Sequence, residues 1–209
     1  MDTRSLLTTA PVIPVIMIDD LDAAVPMAKA LVAGGLPVLE VTLRTPPAME
    51  AMRAMAAEVE GAIVGAGTVL TPQQLADVEE AGAKFAVSPG ATPTLLDAAK
   101  DSSVALLPGA ATASEAMLLL EHGYSCQKFF PAEPAGGQHY LKALSSPLAG
   151  ISFCPTGGIT PSSAPAYLNL PNVLCVGGSW VTPKDAVSAG DWDRIEHLAR
   201  DASTLGGNS

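Results

Sequence analysis

Basic residues are scarce in this chain. It carries 11 Lys and Arg against 21 Asp and Glu, a formal net charge of −10. Nucleic-acid backbones are held by clustered Lys and Arg, so this balance argues against a nucleic-acid partner, and an anionic ligand must be held by a local arrangement. There is also no uncharged stretch long enough to span a bilayer, and no basic N-terminal run followed by a continuous apolar one. The expectation is a cytoplasmic protein without a membrane partner. Cysteine and histidine are sparse as well, three of each. Cys126, Cys154 and Cys175 are odd in number and lie inside apolar runs, so they read as small buried hydrophobes and not as a disulfide framework. His122, His139 and His197 have no metal-ligand spacing with one another or with the cysteines, so they read as surface residues and no metal is expected.

What the chain does have is apolar content. Of its 209 residues 48% are hydrophobic and 15% charged, which places it among globular proteins with a large core and predicts one domain over residues 1–209. Short β-rich runs recur at Pro11–Ile18, Leu36–Thr42, Ala62–Thr68, Lys84–Pro89, Val104–Pro108, Cys126–Phe130, Ile151–Thr156 and Val173–Gly177. Segments with helical spacing lie between them, such as Leu21–Ala33, Ala48–Val59, Pro72–Ala81 and Ser114–His122. Thr71-Pro72, Thr92-Pro93 and Thr160-Pro161 place a capping hydroxyl before a proline at the first helical position. Thr71 to Gln74 and Thr112 to Glu115 fit the capping box, and Gly34-Gly35, Gly82 and Gly123 suit helix C-caps. Eight strand–helix units predict an α/β fold, a single closed (β/α)8 barrel of parallel strands with helices outside. Gly65-Ala66-Gly67 resembles a dinucleotide-binding turn but lacks its third glycine, so no such cofactor is expected.

Barrels of this kind place their active sites at the C-terminal ends of the strands. Val38, Glu40, Thr42 and Arg44 share one parity on the second strand, so a Glu40 that faces the interior has Thr42 beside it and Arg44 at the rim. Its apolar neighbours would desolvate Glu40 and suit it to proton shuttling; a salt bridge to Arg44 or to a neighbouring strand is the structural alternative. Lys128 sits among aromatic residues in Cys126-Gln127-Lys128-Phe129-Phe130-Pro131, while Lys29, Lys100 and Lys142 fall in helical segments and Lys84 begins a strand at the opposite mouth. Burial disfavours an ammonium and frees the amine that attacks a ketone; a snorkelling or ion-paired lysine is the alternative. Thr156-Gly157-Gly158 and Gly177-Gly178-Ser179 end the last two predicted strands, whose loops are the usual phosphate site of phosphate-binding barrels.

Five segments then carry a resemblance: Val38-Leu39-Glu40-Val41-Thr42-Leu43-Arg44-Thr45, Val64-Gly65-Ala66-Gly67-Thr68-Val69, Lys128-Phe129-Phe130-Pro131-Ala132-Glu133, Phe153-Cys154-Pro155-Thr156-Gly157-Gly158-Ile159 and Val176-Gly177-Gly178-Ser179-Trp180. In this order, from about Pro11 to about Trp180, they resemble the 2-keto-3-deoxy-6-phosphogluconate (KDPG) and 4-hydroxy-2-oxoglutarate aldolase family. The resemblance implies a homotrimeric class I aldolase that needs no cofactor or metal and yields pyruvate and glyceraldehyde 3-phosphate in the Entner–Doudoroff pathway. It implies Lys128 as the Schiff-base lysine, Glu40 as general acid and base, Arg44 and Thr68 at the pyruvyl carboxylate, Thr156 near the reacting hydroxyl, and Gly157, Gly158 and Ser179 at the phosphate. Gln127 departs from the family, which commonly has an aromatic residue there; by parity it points toward the helices, where its amide needs a partner. Other readings are an aldolase for 4-hydroxy-2-oxoglutarate or the galactonate epimer, and a non-catalytic phospho-sugar-acid binding protein.

Overall fold

Val and Ile dominate the first strand, β1 (Val12–Ile16), and mostly β-branched, aromatic or small residues build the others. These are β2 (Val38–Thr42), β3 (Ile63–Gly67), β4 (Phe85–Val87), β5 (Ala105–Leu107), β6 (Gly109–Ala110), β7 (Cys126–Phe129), β8 (Ser152–Pro155) and β9 (Val176–Gly178). The helices are α1 (Thr3–Leu7), α2 (Ala24–Ala33), α3 (Ala48–Glu58), α4 (Pro72–Glu80), α5 (Pro93–Lys100), α6 (Ala113–Glu121), α7 (Gly137–Leu144), α8 (Ala164–Leu168), α9 (Lys184–Ala189) and α10 (Trp192–Ser203). The computed structural model describes residues 2–206. Among them no helix is long and apolar enough to cross a membrane.

The strands do not form the expected closed eight-stranded barrel. Among the described residues there are nine, all paired in parallel, in a six-stranded sheet of order β5-β4-β3-β2-β1-β9 and a three-stranded sheet of order β6-β7-β8. Two prolines mark the seams. Pro108, the last residue of the predicted fifth strand, separates β5, which pairs with β4, from a further strand β6, which pairs with β7. On the other side, Phe153 donates to the Asn172 carbonyl at 2.7 Å and Leu174 donates back to Phe153 at 3.1 Å. The next rung of a parallel ladder needs an N–H at residue 155, and Pro155 has none. Among the described residues only the isolated bridges Phe153–Val173 and Thr156–Gly177 span that seam.

Helix starts follow their capping chemistry. Thr112 and Glu115 form a reciprocal capping box, and Thr92 caps α5 by accepting from Leu95 N–H. Thr71 caps α4, but Gln74 reaches past it to Leu70 N–H. Thr160 does not start a helix. It accepts from Ser163 N–H in a turn, and α8 begins beyond it.

The core has two parts. The larger one lies between strands and helices and includes Leu39, Val41, Phe129 and Phe153. A smaller inner cluster joins Val38, Phe85, Cys126, Cys154 and Cys175 with Leu6 and Leu7 of α1. α1 therefore covers the N-terminal ends of the strands, helped by a bond from Arg4 Nη2 to Ser152 Oγ at 2.9 Å. The three cysteines are buried and free, as the apolar runs around them suggested.

Gly65 is required by this inner packing. A β-carbon there would stand 2.4 Å from the Phe85 ring. Overpacking of this kind costs about 1–3 kcal/mol, so Gly65→Ala should lower the unfolding free energy by an amount within that range and shift the urea midpoint down accordingly. An unchanged midpoint would show that the Phe85 ring moves freely.

Candidate active site

Strand parity carries Glu40 inward. Leu39 and Val41 pack in the outer core and Val38 in the inner cluster, so Glu40, two residues beyond Val38, faces the inside. On β7, Cys126 packs in the inner cluster and Lys128 follows it on the same face. The two side chains meet: Lys128 Nζ lies 3.1 Å from Glu40 Oε1, with side-chain exposures of 3% and 4%. The ammonium also stands 5.4 Å from the centre of the Phe130 ring, within cation–π reach. The alternative of a salt bridge between Glu40 and Arg44 is not what forms; Lys128, on β7, is the carboxylate's partner.

Glycine makes room for this contact. A β-carbon on Gly67 would come within 2.3 Å of Glu40 Oε1. The Gly65-Ala66-Gly67 run is therefore a packing device in β3, with one glycine facing Phe85 and the other facing Glu40.

Above the pair, Thr42 Oγ1 donates to the Ile16 carbonyl at 2.9 Å, which ties β2 to β1. Arg44 Nε donates to Thr68 Oγ1 at 3.0 Å. Thr68 has φ +62°, a left-handed conformation that costs a β-branched residue roughly 1–3 kcal/mol. The strained backbone presents its hydroxyl to Arg44.

On the opposite wall Thr156 is 6% exposed and its hydroxyl has no hydrogen-bond partner among the described residues. It leans over Gly177, where a β-carbon would lie 2.2 Å from Thr156 Oγ1. Gly157 and Gly158 follow at φ +107° and +81°. A cavity of about 690 Å³ opens here, and Thr42, Arg44, Phe130, Thr156, Gly157, Gly158 and Ser179 line it. Lys128 and Glu40 are not part of its wall. Each lies two residues deeper than a lining residue, below Phe130 and Thr42 respectively. Thr68 also lies outside the wall and reaches the site through Arg44. Among the described residues no group of three His, Cys, Asp or Glu side chains is placed to hold a metal ion.

Sequence patterning passed over Asp19, Asp20 and Lys184, which line the same cavity. Asp19 and Asp20 follow β1, and Lys184 opens the helix after β9. The rule that strand C-termini carry the chemistry could have found them; nothing in their spacing marked them. Gln127 finds the partners its position demanded: its Nε2 donates to the carbonyls of Ala116 and Tyr124, both at 2.9 Å. Its Oε1 is left without one among the described residues.

The model of the KDPG and KHG aldolase family matches residues 3–198. The chain belongs to this family. It is an aldolase, a carbon–carbon lyase. It is 59% identical over 199 residues to the KHG/KDPG aldolase of Escherichia coli (strain K12), covering 95% of this chain and 93% of that one. Its structure resembles the KDPG aldolase of Legionella pneumophila, which holds pyruvate captured at low pH as a covalent carbinolamine; the TM-score is 0.95 at 48% identity, over 97% of this chain and 98% of that one. It also resembles the 2-keto-3-deoxy-6-phosphogluconate aldolase of Zymomonas mobilis ZM4 with 3-phosphoglycerate, with a TM-score of 0.91 at 53% identity over 96% and 94% of the two chains.

The strain at Thr68 allows its effects on stability and on activity to be tested apart. Glycine adopts its backbone conformation freely, so Thr68→Gly should unfold at an equal or higher temperature. Arg44 loses its acceptor at the same time, and cleavage should become less efficient. A clear fall in melting temperature with undiminished activity would show that this threonine serves the fold instead.

Proposed function

We propose that this aldolase cleaves 2-keto-3-deoxy-6-phosphogluconate to pyruvate and glyceraldehyde 3-phosphate, the Entner–Doudoroff reaction, through a Schiff base on Lys128. The observation that carries this reading is the buried 3.1 Å contact between Lys128 and Glu40, one layer beneath the wall of an open cavity. A lysine held against one carboxylate can pass its proton across that contact and become the neutral amine that attacks a ketone. The captured pyruvate of the Legionella relative and the bound 3-phosphoglycerate of the Zymomonas relative support a pyruvyl end and a phosphate end.

In this mechanism Nζ adds to C2 of the substrate, and Glu40, now protonated, gives its proton to the departing C2 hydroxyl. The product is a cationic imine and a free carboxylate. Glu40 then removes the proton of the C4 hydroxyl. The C3–C4 electrons move into the imine, which releases glyceraldehyde 3-phosphate and leaves an enamine. Glu40 returns the proton to C3, and water hydrolyses the resulting imine to pyruvate and free Lys128. Arg44, held by Thr68, pairs with the carboxylate and aligns C2 with the amine. Thr156 offers its unpartnered hydroxyl near the reacting C4 oxygen, and Gly157, Gly158 and Ser179 hold the phosphate.

The Escherichia coli relative, a KHG/KDPG aldolase, favours a second substrate, 4-hydroxy-2-oxoglutarate. The same lysine and carboxylate clamp serve any 2-keto acid, and the galactonate epimer differs only in stereochemistry. We further propose that residues 1–209 form one aldolase domain, the family match running from residue 3 to 198. A homotrimer would give Leu70, Met117, Leu118 and Leu120, all exposed, a surface to bury against. A cytoplasmic location suits a phosphorylated sugar acid, which does not cross a membrane unaided.

Borohydride with pyruvate should label the wild-type protein at Lys128. Lys128→Met keeps an unbranched apolar chain and should stay folded but trap nothing. Glu40→Gln should still trap pyruvate slowly while cleavage falls by roughly a hundredfold or more, the scale of a positioned acid–base group. Trapping at another lysine, or undiminished cleavage by Glu40→Gln, would sink the assignment. Because the imine serves as the electron sink, EDTA should leave turnover unchanged. Loss restored by zinc would point to a different mechanism.

A further inference from the structure

The strand that carries Lys128 continues past Phe130 into a segment that runs alongside the glycine loop. Ala132 N–H donates to the Thr156 carbonyl at 2.8 Å, and Glu133 N–H donates to the Gly157 carbonyl at 3.0 Å. In a trans peptide the C=O and the following N–H point in opposite directions. Anchoring the carbonyls of Thr156 and Gly157 on this side therefore turns the N–H groups of Gly157 and Gly158 to the other. Neither amide donates to any described residue, and both glycines line the cavity.

Glu133 does more than supply an amide. A β-carbon on Gly158 would stand 2.9 Å from both Cβ and Cγ of Glu133, so this side chain lies across the second glycine of the loop. Its Oε1 then accepts a hydrogen bond from Tyr167 Oη at 2.6 Å. Tyr167 is 1% exposed and sits on α8, the first helix after the loop. Burial and the adjoining Glu133 carboxylate push the phenol far above its ordinary value, so Tyr167 remains a donor. One residue thus ties the start of the loop through its backbone and the helix at its end through its carboxylate. Glu133 itself is outside the cavity wall.

We propose that Glu133 is a positioning residue for phosphate: braced by Tyr167, it holds Gly157 and Gly158 with their N–H groups turned toward the ligand. The proposal rests on the reading that these glycines bind the substrate phosphate. Glycines at positive φ have many alternative conformations to lose on ordering, so a loop of two of them needs an external brace to keep its donors aimed. A carboxylate is an unexpected choice next to a dianion, since the two repel. What the geometry uses is its acceptor oxygen, which a glutamine also possesses.

That distinction sets the experiment. KM and kcat are measured for KDPG and for unphosphorylated 4-hydroxy-2-oxoglutarate in Glu133→Ala, Glu133→Gln and Tyr167→Phe, with Ser179→Ala as reference. Tyr167→Phe removes one oxygen and leaves the buried ring, which guards against misfolding. Glu133→Ala and Tyr167→Phe should raise KM for KDPG by about tenfold, the scale of one well-placed hydrogen bond. Neither should change the KHG constants by more than about twofold, and Glu133→Gln should match or improve on the wild-type KM for KDPG. Equal losses on both substrates, or no rescue by glutamine, would overturn the brace. If Ser179→Ala separates the two substrates and the Glu133 and Tyr167 variants do not, the brace alone falls. If none of them does, the phosphate assignment falls with it.

Discussion

Two opposite charges buried together impose the main constraint on this protein. Lys128 and Glu40 are 88 residues apart in sequence and 3.1 Å apart in space. Neither is adequately solvated, so each needs the other: removing one partner of a buried pair typically costs about 3–5 kcal/mol unless the survivor gains or loses a proton. In the proposed mechanism that escape is also the chemistry, because a proton passed from Nζ to Oε1 turns a structural pair into a nucleophile and an acid. The pair further joins β2 of the six-stranded sheet to β7 of the three-stranded one. Under that proposal, fold and reaction depend on the same contact.

Around that contact, polar side chains are accommodated by glycines opposite them. Gly67 leaves room for the Glu40 carboxylate and Gly177 for the Thr156 side chain. These close approaches hold the two side chains in place from behind, as Thr68 does for Arg44. At the other end of the strands the inner cluster of Leu6, Leu7, Phe85 and the three cysteines is purely apolar. Most of the polar side chains inside the strands gather at one mouth, and α1 with its apolar cluster and the Arg4–Ser152 bond closes the other.

The two seams follow from proline placement. Pro108 and Pro155 lack the amide proton that a continuous ladder requires, and pairing passes from one sheet to the other only through isolated bridges or around a corner. The Pro155 seam lies directly before Thr156 and the glycine loop. A segment released from the ladder there can turn its backbone donors toward a ligand.

The sequence by itself determined the parallel α/β repeat, the helix caps at Thr71, Thr92 and Thr112, the inward parity of Glu40, and Lys128 as the lysine of interest. These follow from local periodicity and side-chain chemistry, which act over a few residues. Only the tertiary structure decided that Glu40 pairs with Lys128 and not with Arg44, that Gly65 and Gly67 serve Phe85 and Glu40, and that Glu133 reaches Tyr167. It also decided that the sheet is divided in two. Those outcomes rest on distances between strands far apart in the chain, and on hydrogen bonds that a proline withholds, neither of which a one-dimensional pattern records.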